Sequence, residues 1–132
     1  MPSVLVIGDE ADVRDAIRAV LGRAGFTVRT ADSGRGGVDD FIADPADVVI
    51  VDIIMPCVSG IEVIKSIRMS FPGARILAVT GSEYLRSHRY RSGTIVIDAY
   101  LAAAGQSGAD AVMTKPFDHD GLIALVRSLV KN

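Results

Sequence analysis

Five short apolar runs punctuate the chain, each about the length of a strand, and apolar residues at helical spacing lie between them. The clearest run is DVVIVD at 47–52, where four consecutive apolar residues leave no polar face. A strand of that kind must be covered on both sides, which a parallel sheet flanked by helices achieves. SVLVI at 3–7, FTVRTA at 26–31, ARILAV at 74–79 and ADAVM at 109–113 are the other runs.

The intervening segments read as helices. Val13, Ala16, Ile17, Val20, Leu21 and Ala24 predict the first, stopped by Gly25. Ser33 is placed to cap a weak second helix carrying Val38, Phe41 and Ile42, with Gly34, Gly36 and Gly37 weakening its start. Ile61, Ile64, Ile67 and Phe71 mark a third, ended by Pro72 and Gly73. Ile97, Tyr100, Leu101 and Ala104 predict a fourth. Leu122, Leu125, Val126, Leu129 and Val130 predict a fifth, capped by Asp118. Strands alternating with helices specify an α/β fold around a parallel sheet, and right-handed crossovers leave few topologies.

Composition narrows the function. The 132 residues suffice for one domain with its own core. Hydrophobic residues make up 49% and mean hydropathy is +0.36, which excludes a disordered chain. A net charge of −2 offers no electrostatic case for binding nucleic acid or an anionic membrane. The one cysteine, Cys57, excludes an internal disulfide and fits a reducing compartment. No apolar run has the length of a membrane span, and no secretory signal opens the chain. The expectation is a soluble, cytoplasmic, single-domain protein.

In an open parallel sheet, ligands bind outside the carboxyl ends of the strands, where the winding reverses. The first strand ends in Gly8, Asp9 and Glu10, and the third in Asp52. The fourth ends in Thr80 and Gly81, and the fifth leads into Thr114, Lys115, Pro116 and Phe117. Crowded carboxylates repel unless a cation lies between them, and hard oxygen donors suit Mg²⁺. A carboxylate is also a nucleophile towards phosphorus. A lysine ammonium and a threonine hydroxyl suit phosphoryl oxygens. These residue types together describe a phosphoryl-accepting site.

VLVIGDEADVR, VVIVDIIMPCVSG, LAVTG and GADAVMTKPF, in this order on successive strands, resemble the motifs of response regulator receiver domains, the CheY-like family of two-component signalling. The resemblance covers nearly the whole chain. It implies a doubly wound, flavodoxin-like sheet of five parallel strands in the order 2-1-3-4-5, with five helices, over residues 1–132. It implies that Asp52 accepts a phosphoryl group from a histidine kinase or phosphotransfer protein. Asp9, Asp52 and the backbone carbonyl of Ile54 would hold Mg²⁺, and Thr80 and Lys115 would bind the phosphoryl oxygens. Such a domain catalyses only its own phosphorylation and dephosphorylation. With no DNA-binding module in the 132 residues, its output would be a contact with a downstream protein or a second copy of itself, not with nucleic acid or membrane.

Three positions depart from the family pattern. Gly8 takes the place of the first acid of the usual pair, which predicts weaker Mg²⁺ binding than in a Gly8→Asp chain. Glu10, the next acid along, is expected to point away from the site. Val112 stands where a coupling aromatic ring is usual, so output is expected to run through the fourth helix and the loop before it. That loop, at about 81–94, exceeds a compact connection by roughly a dozen residues and carries Arg86, His88, Arg89 and Arg91 against one acid, Glu83.

Blander readings compete with these assignments. Asp9 occupies a position where a helix N-cap belongs. His88 and His119 lack metal-ligand companions and read as surface residues. A pseudo-receiver, with the same fold used as a phosphorylation-independent binding module, is favoured by Gly8 and Val112 and opposed by Asp52, Thr80 and Lys115. An aspartate-nucleophile phosphatase would want a second acid two residues past Asp52, where Ile54 stands. An FMN binder would want a phosphate cradle in the first loop, which Gly8-Asp9-Glu10 does not supply. If the long loop docks a partner or covers the site, deleting 86–92 will change partner affinity or phosphoryl lifetime. Binding assays and decay of the phosphorylated form measure both, and unchanged values would remove the assignment.

Overall fold

The computed structural model describes residues 2–53, 60–80, 106–114 and 118–130, with Thr80 and Thr114 described by their backbone. The elements are β1(Ser3–Ile7), α1(Ala11–Arg23), β2(Thr27–Ala31), α2(Gly34–Ala43), β3(Val48–Asp52), α3(Gly60–Ser70), β4(Ile76–Thr80), β5(Ala111–Thr114) and α4(His119–Val130). The strands form one sheet in the order β2-β1-β3-β4-β5, every neighbouring pair parallel. This is the doubly wound topology that the sequence motifs imply. Four of the five predicted helices lie among the described residues. The helix predicted at 97–104 and the 81–94 loop fall outside them.

Strand periodicity divides the core in two. Leu5, Ile7, Val49, Val51, Ile76 and Ala78 face α2 and α3, where they meet Phe41, Val63, Ile64 and Ile67. Val4, Val6, Val48, Ile50, Leu77 and Val79 face α1 and α4, where they meet Ile17, Val20, Leu21, Leu122 and Val126. Alternate residues of one strand serve opposite layers, so a run without a polar face is what this sheet requires. Edge strand β2 is only half-covered. Its Arg29 donates to Asp40 at 2.9 Å and also to the Asp44 carbonyl, placing charge on the sheet's edge.

β1 begins with its apolar run at Ser3, while β2 to β5 start one or two residues later than theirs, and polar groups near several of these starts tie the strands together. The Asp47 carboxylate accepts from the Ser3 amide at 2.7 Å, and the Asp47 amide donates to Ser3 Oγ at 3.1 Å. Asp110 accepts from the Ile76 amide at 2.7 Å and from Arg68 Nη2 at 2.9 Å. Arg68 also donates to the carbonyls of Pro72, Ala74 and Gly108 at 2.6 Å each. One guanidinium therefore joins the end of α3 to the approaches of β4 and β5, and Gly108 supplies the turn with φ +120°.

The helix ends follow the sequence closely. Gly25 stops α1 at φ +101°. Ser33 Oγ accepts from the Gly36 amide at 3.1 Å, and Asp118 Oδ2 from the Gly121 amide at 3.0 Å. The glycines of α2 act as packing residues: a β-carbon on Gly37 would lie 2.5 Å from Ile7 Cδ1. Ile42, assigned by spacing to the buried stripe, is 49% exposed. It follows Phe41 by a rotation of about 100°, which carries it off the face that meets the sheet.

Gly60 opens α3 against the backbone that leaves β3. Its amide donates to the Ile53 carbonyl at 3.2 Å. A β-carbon there would lie 2.8 Å from the carbonyl carbon of Asp52, and closer still to its oxygen and to Ile53 Cα. Backbone cannot yield as a flexible side chain can. Gly60→Ala is expected to lower unfolding free energy by about 3 kcal/mol. Gly73→Ala, with nothing among the described residues within 4 Å of its β-carbon, should stay within about 0.5 kcal/mol of wild type. Urea unfolding of the two variants checks the contrast.

Candidate functional site

The winding reverses between β1 and β3, which are hydrogen-bonded neighbours with Ile7 opposite Val51. One step further along each strand stand Gly8 and Asp52, and a β-carbon on Gly8 would lie 3.4 Å from Asp52 Cβ. Asp52 is 4% exposed and stands alone as the buried charged residue among the described residues. It ends a strand whose preceding four residues are fully buried. Its carboxylate therefore sits where the two apolar layers finish, at the carboxyl end of β3.

Carboxylate oxygens of Asp9, Glu10 and Asp52 all lie within 4.8 Å of one another. Asp9 is exposed, Glu10 half-buried and Asp52 buried, so the cluster runs from solvent into the sheet. Three carboxylates so close repel one another, and a cation between them relieves that repulsion, the more so where burial cuts the screening by water. An all-oxygen donor set of this size, open on one side, fits Mg²⁺ with water completing its shell.

Two sequence expectations change here. Glu10 turns its carboxylate towards Asp9 and Asp52 rather than away. The strand-to-helix junction explains this: Glu10 is the extended residue at the N-cap of α1, with φ −97° and ψ 113°, and its side chain makes no capping hydrogen bond. Asp9 is one residue too early to cap the helix, which removes the bland reading of that acid. The Gly8 carbonyl accepts from Arg14 Nη1 at 2.7 Å, so the glycine is pinned although it has no side chain.

Of the other expected site residues, Thr80 is described by its backbone, at the same rim of the sheet. Asp52 is opposite Val79 on β4, and Thr80 follows Val79. Thr80 is in turn opposite Thr114 on β5, the residue before Lys115. Strand order and register thus bring the backbone positions of Asp52, Thr80 and Thr114 to one rim. Lys115, Ile54, Cys57 and His88 are outside the described residues. His119 is exposed, as its lack of companions suggests. No helix among the described residues is long and apolar enough to cross a membrane.

Comparison with known proteins agrees with this architecture. Residues 4–127 match the family model for the response regulator receiver domain. The chain is 29% identical to Response regulator MprA of Mycolicibacterium vanbaalenii over 128 residues, covering 97% of this chain and 50% of that protein. It is 32% identical to Cell cycle response regulator CtrA of Brucella ovis over 128 residues, with the same coverage of 97% and 50%. The chain thus spans about half the length of these curated relatives. Among solved structures it resembles response regulator TrrA of Thermotoga maritima in complex with Mg²⁺-BeF, at 33% identity and a TM-score of 0.76, covering 98% of this chain and 99% of that one.

Val112, on edge strand β5, is 42% exposed. A larger ring at this position meets solvent on one side rather than a filled core. Val112→Tyr is therefore expected to change unfolding free energy by no more than about 0.5 kcal/mol. A loss of several times that amount in chemical denaturation would show that the position is packed.

Proposed function

Because the chain belongs to the response regulator receiver domain family, we propose that it is a phosphoacceptor module in which Asp52 takes a phosphoryl group from a histidine kinase or phosphotransfer protein. Receivers of this family work in two-component signalling and bind Mg²⁺ at an acidic cluster. The observation that carries the reading is the burial of Asp52 to 4% exposure at the switch point of the sheet. Asp9 and Glu10 offer carboxylate oxygens within 4.8 Å of it.

The chemistry follows from the residues. An Asp52 carboxylate oxygen forms a bond to phosphorus as the phosphorus–nitrogen bond of the donor imidazole breaks. The leaving nitrogen keeps the electron pair and takes up a proton. Burial holds the nucleophile in one orientation, and Gly8 keeps the approach beside it clear. Mg²⁺, when bound, supplies positive charge that offsets the clustered carboxylates and the phosphoryl oxygens. Asp9, Asp52 and the Ile54 carbonyl are its proposed ligands. The Thr80 hydroxyl and the Lys115 ammonium are the proposed donors to the phosphoryl oxygens. Strand register supports both assignments, since β4 ends beside β3 and β5 ends beside β4. The complex of TrrA with Mg²⁺-BeF supports a magnesium-dependent step.

On this reading residues 1–132 make up one receiver domain. It works in the cytoplasm, turns over no external substrate, and passes its signal by a changed surface for a downstream protein or a second copy. A second reading, a pseudo-receiver that binds a partner without phosphorylation, is favoured by Gly8 and by the exposed Val112 in place of a ring.

Intact mass after incubation with Mg²⁺ and a small phosphoryl donor separates the two. One phosphoryl addition to the wild type, absent from Asp52→Asn, supports the phosphoacceptor. No addition to the wild type supports the pseudo-receiver, and turnover of an external phosphomonoester would make the protein a phosphatase instead.

A further inference from the structure

We infer that Arg14 is a positioning residue: it holds the β1–α1 junction in the conformation that presents the Asp9 carboxylate beside Asp52. The inference rests on the reading of that site as a Mg²⁺ site, and it gives a role there to a cationic side chain that is not a metal donor.

Asp9 lies between the end of β1 and the start of α1. It is exposed, and it makes no hydrogen bond of its own among the described residues. Register brings the junction to Asp52 but does not aim the Asp9 side chain. That direction is set by the residues on either side, and the carbonyls of both accept from Arg14. The Arg14 amide donates to the Glu10 carbonyl at 3.1 Å, closing the first turn of α1. Arg14 Nη1 reaches back to the Gly8 carbonyl at 2.7 Å, in the direction that helical side chains lean. One residue thus grips the chain just before Asp9 and just after it.

The grip matters because residue 8 is glycine. With no β-carbon, its dihedral angles are freer than those of any other residue type. The Gly8 amide donates to the Ala31 carbonyl at 3.1 Å, which fixes one side of the residue only. Rotation at residue 8 would swing Asp9 away from Asp52. Repulsion among three carboxylates within 4.8 Å of one another pushes that way whenever no cation lies between them. The bond from a charged guanidinium to the Gly8 carbonyl opposes the swing, and such bonds are stronger than neutral ones. Arg14 is half-buried and belongs to neither core layer, so its replacement leaves the packing of the sheet intact.

Positioning and simple charge predict opposite signs. A guanidinium beside the acids repels a second cation, so as a charge alone its removal should tighten Mg²⁺ binding. As the group that aims Asp9, its removal should weaken binding by about tenfold, the scale of losing a residue that orients a metal ligand.

Calorimetric Mg²⁺ titration decides between the two. Arg14→Met keeps the apolar stem and loses the donor. Arg14→Gln, with a side chain two bonds shorter, falls short of the carbonyl and serves as a second neutral variant. Both should bind Mg²⁺ about tenfold more weakly than wild type, and Arg14→Lys, which keeps a charged donor, should recover most of the loss. Gly8→Ala restricts residue 8 by other means, and its β-carbon meets Asp52 at ordinary contact distances of 3.4 and 3.9 Å. Its gain in Mg²⁺ affinity should be severalfold larger in the Arg14→Met chain than in the wild type. Urea unfolding in chelator, expected to show every variant folded, keeps stability apart from binding.

Unchanged or tighter Mg²⁺ binding in the neutral variants would overturn the assignment and leave Arg14 a surface charge. So would an equal effect of Gly8→Ala in both backgrounds. In either case Mg²⁺ binding lost in Asp9→Asn would leave the metal reading intact. A wild type that binds no Mg²⁺ would overturn both together.

Discussion

A carboxylate held at 4% exposure between two apolar layers is the constraint around which this molecule is arranged. Burying an ionised group is costly unless its surroundings offset the charge. In a doubly wound sheet both faces are closed by helices, so the strand ends are the places where such a group can meet cations and polar partners. Asp52 occupies the strand end at the reversal of winding, where β1 and β3 lie side by side and the helices that follow them, α1 and α3, pack on opposite faces of the sheet. The acids of the β1–α1 junction are brought to it by register alone, since Ile7 pairs with Val51.

The space around Asp52 is shaped by missing side chains as much as by present ones. Gly8 leaves its flank open, and Gly60 lets α3 start directly against the Asp52–Ile53 backbone. Gly37 lets α2 settle on Ile7, one residue before the site. At Gly37 and Gly60 the absence brings a helix closer than alanine would permit. The consequence reaches function. The segment between Ile53 and Gly60 starts and ends at residues joined by a hydrogen bond, from the Gly60 amide to the Ile53 carbonyl. Its two ends are fixed beside the buried acid.

Away from the site, Arg68 has a comparable organising role at the opposite edge of the sheet. Its bonds to Gly108 and Asp110 span 40 and 42 positions of the chain, and those to Pro72 and Ala74 tie the same guanidinium to the approach of β4. Nothing in a helical pattern distinguishes Arg68 from the exposed arginines of α1, because its value lies in partners supplied by later segments. Hydrogen bonds from a charged donor to several carbonyls are also stronger than neutral ones. The long connection between β4 and β5 thus returns to a fixed anchor before β5 begins.

How much of this was legible beforehand follows from the range of the interactions. Strands, helix caps at Ser33 and Asp118, the stop at Gly25 and the parallel architecture were readable because each depends on residues within a turn or on a two- or 3.6-residue period. The positions of Asp52 and Thr80 at strand ends, and of Asp9 just past one, were readable for the same reason. What tertiary structure decided is which of these groups meet. It swung Glu10 into the acid cluster, exposed Ile42 and Val112, turned Gly37 from a helix breaker into a packing residue, and gave Arg68 its partners. Those outcomes depend on strand order and register, which bring together residues far apart in the chain. Local periodicity carries the elements, and the geometry between elements carries the site.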